Sequence, residues 1–275
     1  MIALALLLGG LLAQMPQNPS PMTEHTRTHR RLQKTEVKGT RTKLSLGTLV
    51  ITPSAQRRKT VRLVVHFHGA AWLAEQAATR RWRSVAVIAV EAGNGSGVYA
   101  QTMRDPARFA SLLEEAARVS GKRFHPVIVT SFSAGYGAVR EILKDHANWS
   151  RIDAVVLCDS LHAGYVDGKA GQVDPANMQP FLDFAREAAA GRKQMFITHS
   201  ELFPGTYAST TETADWLLEQ LGLKRRPVLR RGPGGMQQLS EAKTGGFTVK
   251  GFAGNSAPDH IDQFQGLAEW LRSVR

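Results

Sequence analysis

One short stretch, residues 125–137, restricts most strongly what this chain can fold into. The β-prone residues 127–130 run into a turn of small residues that has Ser133 at its apex, and helix-forming residues follow at once. A sharp turn from strand to helix is strained, so the residues beside its apex must be small, as Ala134 and Gly135 are. A serine between small residues is often just a turn, but this context predicts a buried strand, a tight turn and a packed helix.

The rest of the chain alternates between strand-like and helix-like segments. Several strands are continuously apolar, which is typical of strands buried on both faces of a parallel sheet. The alternation predicts an α/β fold, a doubly wound, mostly parallel sheet with helices on both faces and a minimal cap. Strands are predicted at residues 43–51, 61–68, 84–90, 127–130, 152–158, 194–198 and 247–252, and helices at residues 105–119, 138–144, 180–190, 211–221 and 261–274.

Two glycine-rich segments lie between these elements. Residues 93–97 lack the lysine and hydroxyl residue of a phosphate-binding loop, so we expect a plain loop there. A basic segment rich in glycine and proline, ending at Gly235, is predicted as a connection.

The amino-terminal segment differs in composition from the rest. Residues 1–13 form an apolar run of the length of a signal-peptide core, too short to span a bilayer. We therefore predict a signal peptide over residues 1–22, a linker over 23–42 and a single folded domain over 43–275, with export to the periplasm or the exterior. The alternative is a different start, such as Met15 or Met22, or a buried helix, and then a cytoplasmic protein.

Charge and cysteine content limit the classes of partner. The formal net charge is +12, but the basic residues are spread along the chain in short runs, which favours a generally basic surface over a binding tail. Nucleic acid is not expected as a partner, contact with an anionic surface stays open, and the oligomeric state is undetermined. The single Cys158 excludes an internal disulfide, and its apolar surroundings predict core packing.

Residues whose side chains can take part in catalysis follow the predicted strands at their carboxyl ends, where ligand sites of such sheets lie. They are His68, Ser133, Asp159, Glu201 and His260. After His68, a hydroxyl, two acids and an imidazole occur in the chain order Ser, Asp/Glu, His. Serine is a weak nucleophile that needs a neighbouring base, and the imidazolium that forms needs a carboxylate to orient it. The set therefore contains the residue types of nucleophilic catalysis.

On these residues, the region 43–275 resembles the α/β-hydrolase superfamily, with Ser133 in its nucleophile elbow and Ser131 in place of the usual first glycine. The resemblance implies a serine esterase or lipase without cofactor or metal, acting on a small carboxylic ester or an amide through an acyl-enzyme. It implies Ser133 as nucleophile and His260, just before the last helix, as base. It also implies oxyanion-hole amides at Ala134 and Ala70.

The acid is the open member of the set. Asp159 directly follows a strand and is our first choice, and Glu201, after the next strand, is the alternative. Asp259, or no acid at all, is the remaining choice. As a cap of the turn after its strand, Asp159 has a purely structural explanation too.

Other residues have weaker claims. The histidines His66, His68, His162 and His199 end near one sheet edge, but no ligand-type pair lies on a predicted helix, so we predict no metal site. Aromatic residues beside the strand ends are pocket walls or simple packing, and two tryptophans on helix faces are predicted as core: Trp72, Tyr136, Tyr165 and Tyr207 form the first group, Trp216 and Trp270 the second.

A second class of function also fits the sequence. A non-catalytic α/β-hydrolase-fold protein that binds an anionic ligand or polymer would explain the basic charge. An acyltransferase would carry the same residues as a hydrolase.

Overall fold

Ten strands form one mixed sheet in the computed structural model, in which residues 27–274 are described. The strand order is β1-β2-β4-β3-β5-β6-β7-β10-β9-β8. The six strands from β4 to β10 in this order are mutually parallel, and antiparallel strands lie at both edges. The strands are β1 (Thr40–Lys43), β2 (Thr48–Ile51), β3 (Thr60–Phe67), β4 (Val85–Val90), β5 (Arg123–Phe132), β6 (Ala154–Cys158), β7 (Gln194–His199), β8 (Arg226–Arg231), β9 (Gln237–Thr244) and β10 (Phe247–Phe252).

Helices connect the strands and cover the sheet. They are α1 (Pro53–Gln56), α2 (Ala71–Arg81), α3 (Ser96–Met103), α4 (Ala107–Ser120), α5 (Tyr136–Lys144), α6 (His146–Trp149), α7 (Pro175–Ala189), α8 (Thr210–Gln220), α9 (Ala257–Gln265) and α10 (Leu267–Trp270). Within residues 27–274, none of these helices has the length and apolar character needed to cross a membrane.

Alternation along the central strands divides the core between the two faces of the sheet. Leu63 and Val65 of β3 pack on one face with α3, α4, α5, α7 and α8, whereas Val64 packs on the other with α2, α9 and α10. Cys158 is fully buried in the second cluster, and burial raises the pKa of its thiol. The doubly wound sheet predicted from the sequence is therefore confirmed.

The carboxyl-terminal elements differ from the prediction. The predicted connection up to Gly235 contains β8, which pairs with β9 in an antiparallel hairpin at the sheet edge. The last predicted helix begins four residues earlier than expected, at Ala257, where Ser256 and Asp259 form a capping box. His260 therefore lies in the first turn of α9, and the prediction that it precedes the helix is wrong.

The amino-terminal segment packs against the domain as far as it is described. The predicted signal peptide, residues 1–22, lies outside the described residues. Of the predicted linker 23–42, the described part contains the start of β1 at Thr40, and the segment before it hydrogen-bonds α2 and α9 through Thr35 to Gln76 and Leu32 to Gln265. Polar side chains, which favour a linker in sequence analysis, here serve as hydrogen-bond partners.

Candidate active site

Ser133 occupies a strained turn directly after β5. Its φ is 45°, in the left-handed region that non-glycine residues rarely adopt, and it begins a 3-10 turn that continues into α5. A Cβ at Gly135 would lie 2.2 Å from the Phe67 carbonyl oxygen, so only glycine fits at that point. This is the strand–turn–helix geometry of a nucleophile elbow.

Ser131 explains how the elbow tolerates a side chain where glycine is usual. Its buried hydroxyl lies 2.7 Å from the Ser160 hydroxyl, and Ser160 Oγ in turn donates to the Ser133 carbonyl oxygen at 2.8 Å. The two hydroxyls thus satisfy each other and tie the elbow to the loop after β6.

Asp159 is the carboxylate that contacts His260. Asp159 Oδ2 lies 2.7 Å from His260 Nδ1, and its backbone is also in the left-handed region, with a φ of 44°. The side chain of His260 is 17% exposed and that of Asp159 is 1% exposed. Asp159 therefore orients the imidazole from beneath while part of the ring still faces the surface.

The same carboxylate accepts further hydrogen bonds. Ser200 donates from its backbone amide at 2.9 Å and from its hydroxyl at 2.5 Å, and the Thr210 hydroxyl also donates. Burial acts to raise the pKa of Asp159, but the hydrogen bond and charge of His260 and the two hydroxyl donors outweigh it and lower the pKa to about 2. Asp159 is therefore a carboxylate at neutral pH.

The other acids lie elsewhere. Glu201 Oε2 accepts from the Gly254 amide at 3.2 Å, and Asp259 caps α9 and pairs with Arg27 at 2.9 Å. Neither carboxylate contacts the His260 ring within residues 27–274. The geometry favours Asp159 as the acid.

Ser133 and His260 lie at the same edge of the sheet, and no hydrogen bond joins them in the described chain. The ring of Phe132, which immediately precedes Ser133, lies 4.6 Å from the His260 ring, centroid to centroid. Catalytic hydrogen bonds in unliganded enzymes are often long and tighten only with substrate. The structure thus brings Asp159 and His260 into contact and Ser133 to the same edge of the sheet.

A buried histidine holds the loop that carries Ala70. His66 is fully buried, with Nδ1 at 2.7 Å from the Thr130 hydroxyl and Nε2 at 2.7 Å from the His68 carbonyl oxygen. Burial lowers the pKa of His66 to about 3, so the ring is neutral. His68 has a φ of 69° and approaches the Tyr99 hydroxyl at 3.1 Å. These contacts fix the shape of the loop.

Ala70 and Ala134, the predicted oxyanion-hole residues, are each only half-buried. Ala70 directly precedes α2, and Ala134 lies in the turn that leads into α5. Amides at the start of a helix have no acceptor within it, so both positions suit donation to a ligand.

The other histidines considered as metal ligands also have partners within the protein. His199 is buried between the Thr211 hydroxyl and Arg225, whose Nη1 donates to His199 Nε2 at 2.7 Å. Burial, and then the Arg225 charge, lower the pKa of His199 to about 4. In the described region one group has metal-ligand spacing, His29 with Asp259 and Asp262. Arg27 and Arg31 already neutralise its carboxylates.

His162, which the sequence analysis considered at this sheet edge only as a metal ligand, packs against two aromatic residues. Its ring packs edge-on against Tyr136 and Tyr207, with centroids 5.5 and 5.2 Å away, and its Nδ1 lies 3.0 Å from the Ala208 carbonyl oxygen. Burial lowers its pKa, and the charges of Asp159 and His260 act on it as well. Tyr136 and Tyr207, predicted as pocket-wall or packing residues, thus both pack against the His162 ring.

The other aromatic residues singled out in the sequence have different partners. Tyr165 donates to Glu212 at 3.0 Å, and Trp72 packs against the second core cluster. Trp270 is buried, which confirms it as a core residue, whereas Trp216 is half-buried and packs against the first cluster from outside.

Comparisons with known proteins give structural likeness alone. No family model matches the chain, and no curated protein matches it. Similar solved structures include esterase PE8, at 13% identity over 84% of this chain and 99% of that one, with a TM-score of 0.48. The poly(3-hydroxybutyrate) depolymerase LpqC from Bordetella parapertussis matches at 13% identity over 83% and 85%, with a TM-score of 0.48.

An acetyl xylan esterase from Aspergillus awamori matches at 14% identity over 80% of this chain and 93% of that one, with a TM-score of 0.43. At these identities and scores, none of the neighbours' activities is transferred to this chain. The assignment of the fold rests on the chain itself: its sheet, the strained turn at Ser133, and the order Ser133, Asp159, His260. The chain has the α/β-hydrolase fold that its sequence resembles.

Proposed function

We propose that this protein is a serine hydrolase that cleaves carboxylic esters through an acyl-enzyme. The observation that supports the proposal most is the 2.7 Å contact between His260 Nδ1 and buried Asp159, at the sheet edge where Ser133 occupies a strained turn. A histidine held by a carboxylate, at the same sheet edge as a serine presented on an elbow, is the arrangement that activates a hydroxyl.

In this mechanism Ser133 Oγ attacks the ester carbonyl carbon while His260 Nε2 takes the hydroxyl proton. Asp159 accepts the hydrogen bond from Nδ1–H and stabilises the imidazolium. The negative oxygen of the tetrahedral intermediate receives hydrogen bonds from the Ala134 and Ala70 amides. The C–O bond to the alcohol then breaks, and His260 returns the proton to the departing oxygen.

The second half repeats the first with water. His260 takes a proton from water, whose oxygen attacks the acyl carbon, and the bond to Ser133 Oγ breaks as the proton returns to it. The acid product leaves and the enzyme is restored. An acyltransferase would use the same first half and a different acceptor in the second.

The proposal is tested by turnover of p-nitrophenyl esters of increasing acyl length. We expect the wild type to hydrolyse at least one member, with a burst of nitrophenol if deacylation is slow. Ser133→Ala should lower kcat by about 10⁴-fold or more. Ser96→Ala, which removes a hydroxyl that accepts a hydrogen bond from Tyr136 at 3.0 Å, should keep most of the wild-type kcat. A folded wild type that hydrolyses no ester in the series would contradict the proposal.

A further inference from the structure

A concave surface lies at the amino ends of the central strands, whereas Ser133 lies at their carboxyl ends. Two adjoining cavities, of about 440 and 530 Å³, share Arg58, Arg83 and Ser84 in their walls. Arg62, near the start of β3, lines the cavity of about 440 Å³, and Phe67 at the end of β3 packs beside the elbow. Phe67 lies five positions after Arg62, which is about 17 Å along a strand. The cavities are therefore remote from the proposed catalytic residues.

The walls of these cavities are strongly and uniformly basic. They contain five arginines and one histidine and no carboxylate: Arg57, Arg58, Arg62, Arg81, Arg83 and His125. Within residues 27–274, none of the five guanidinium groups forms an ion pair with an acidic side chain, although most other arginines that form side-chain contacts do. Uncompensated like charges repel each other, so this cluster destabilises the folded chain unless an anion joins it.

Arg62 and Arg81 are held close together by one aromatic ring. Their guanidinium carbons lie 4.5 and 5.0 Å from the centroid of Trp82. Burial, and then the charge of Arg81, lower the pKa of Arg62. The ring thus fixes two cations against their mutual repulsion, which pre-organises them for an anionic group.

Two buried polar atoms in the same wall lack a partner. Arg62 Nε and Ser84 Oγ are inaccessible and have no hydrogen-bond partner in the described part of the chain. Buried polar groups are nearly always hydrogen-bonded, so an unpaired donor beside an unpaired hydroxyl needs an explanation. The chain itself therefore does not complete the hydrogen bonding in this part of the wall.

We propose that the arginine cavity at the amino ends of β3, β4 and β5 binds a small ligand that carries two or more phosphate groups. Guanidinium groups match phosphate oxygens with paired hydrogen bonds. Five arginines around one opening call for several negative charges in a small volume, which an oligophosphate provides more densely than a carboxylate. The site is separate from the ester-cleaving centre and does not depend on its chemistry.

The test is a calorimetric titration of the full-length protein with inorganic tripolyphosphate at low ionic strength. We expect saturable binding that weakens as sodium chloride is added. Arg62→Gln should weaken binding by about tenfold or more. Since Arg62 is half-buried and its loss can disturb β3, Arg83→Gln at an exposed wall position is measured too, with an expected loss of about threefold.

The control is Arg186→Gln, which removes the same charge at an exposed position on α7 outside both cavities. It should leave the affinity unchanged. Absence of tripolyphosphate binding, an equal loss in Arg186→Gln, or tighter binding of citrate than of tripolyphosphate would each overturn the proposal. Binding of a single-stranded oligonucleotide but not of tripolyphosphate would overturn it as well.

Discussion

At the scale of single residues, the site depends on how Asp159 is surrounded. Its carboxylate accepts four hydrogen bonds, from His260, the Thr210 hydroxyl, and the amide and hydroxyl of Ser200. An acid so placed is fixed in orientation and stays ionised, which suits a group that holds an imidazole in one tautomer. The donors come from segments distant in sequence, so the sequence could rank Asp159 ahead of Glu201 but could not show the contacts that favour it.

The choice of acid predicts a contrast between two isosteric variants. Asp159→Asn should lower kcat for ester hydrolysis by about 10⁴-fold, because the amide favours the wrong histidine tautomer. Glu201→Gln should change kcat by no more than about threefold, since Glu201 accepts only a backbone hydrogen bond from Gly254. Both variants are compared by steady-state kinetics after circular dichroism has shown that they fold. A larger loss in Glu201→Gln than in Asp159→Asn would reverse the assignment.

At the scale of elements, the central strands were predictable and the sheet edge was not. Strands β3 to β7 are apolar because both their faces are covered, and that pattern is visible in the sequence. Strand β8 has the burial pattern of an exposed edge and the sequence RPVLRR, so nothing in its polarity distinguishes it from a loop. Its pairing with β9 becomes visible only in the folded chain.

The start of α9 was also misplaced. Ser256 and Asp259 form the cap, yet Pro258 and the polar residues Asp259 and His260 occupy most of the first turn. Apolar periodicity, on which the prediction rested, begins only after His260. A capping box would have been the better signal, because it marks the first turn directly.

We predict that the amino-terminal segment stabilises α9, the helix that carries His260, through Arg27. Arg27 donates to Asp259 at 2.9 Å and to Asp262 at 2.6 Å, and both aspartates are almost completely buried beside His260. Arg27→Gln leaves buried carboxylates without this partner, and we expect the free energy of unfolding to fall by about 3 kcal/mol. Urea denaturation measures the change, and kcat should fall with it.

The matched control for Arg27 is Arg186→Gln, because the Arg186 side chain is 53% exposed and that of its partner Asp183 is 28% exposed. That variant should change the free energy of unfolding by less than about 0.5 kcal/mol. Equal stability of the two variants would show that the segment does not brace α9.

At the scale of the whole molecule, buried neutral histidines predict a loss of stability in acid. The pKa is lowered from 6.5 to about 3 for His66 and to about 4 for His199, by burial in both cases. Below pH 6.5 the unfolded chain binds protons that the folded chain does not, so the free energy of unfolding falls with pH down to about 4. The contribution of Asp159 is lost only below this range, as pH falls from 3.8 towards 2.

Urea denaturation at several pH values between 7 and 4 measures this slope. Each buried histidine contributes about 1.4 kcal/mol to the change in the free energy of unfolding for each unit by which its pKa is lowered. For His199 this is roughly 3 kcal/mol. His199→Gln should flatten the slope, because it removes one of the two histidines whose pKa is lowered by burial. A stability that is constant from pH 7 to 4 would contradict the account.

The central claim is that Ser133 is an activated nucleophile, and labelling with a fluorophosphonate probe tests it most directly. The probe reacts with serines whose hydroxyl is activated by a base. The account predicts one modified peptide in the wild type, carrying the adduct on Ser133, and no adduct in Ser133→Ala. His260→Ala, which removes the base, should label far more slowly than the wild type. A folded wild type that stays unlabelled, or a label that persists in Ser133→Ala, would contradict the account.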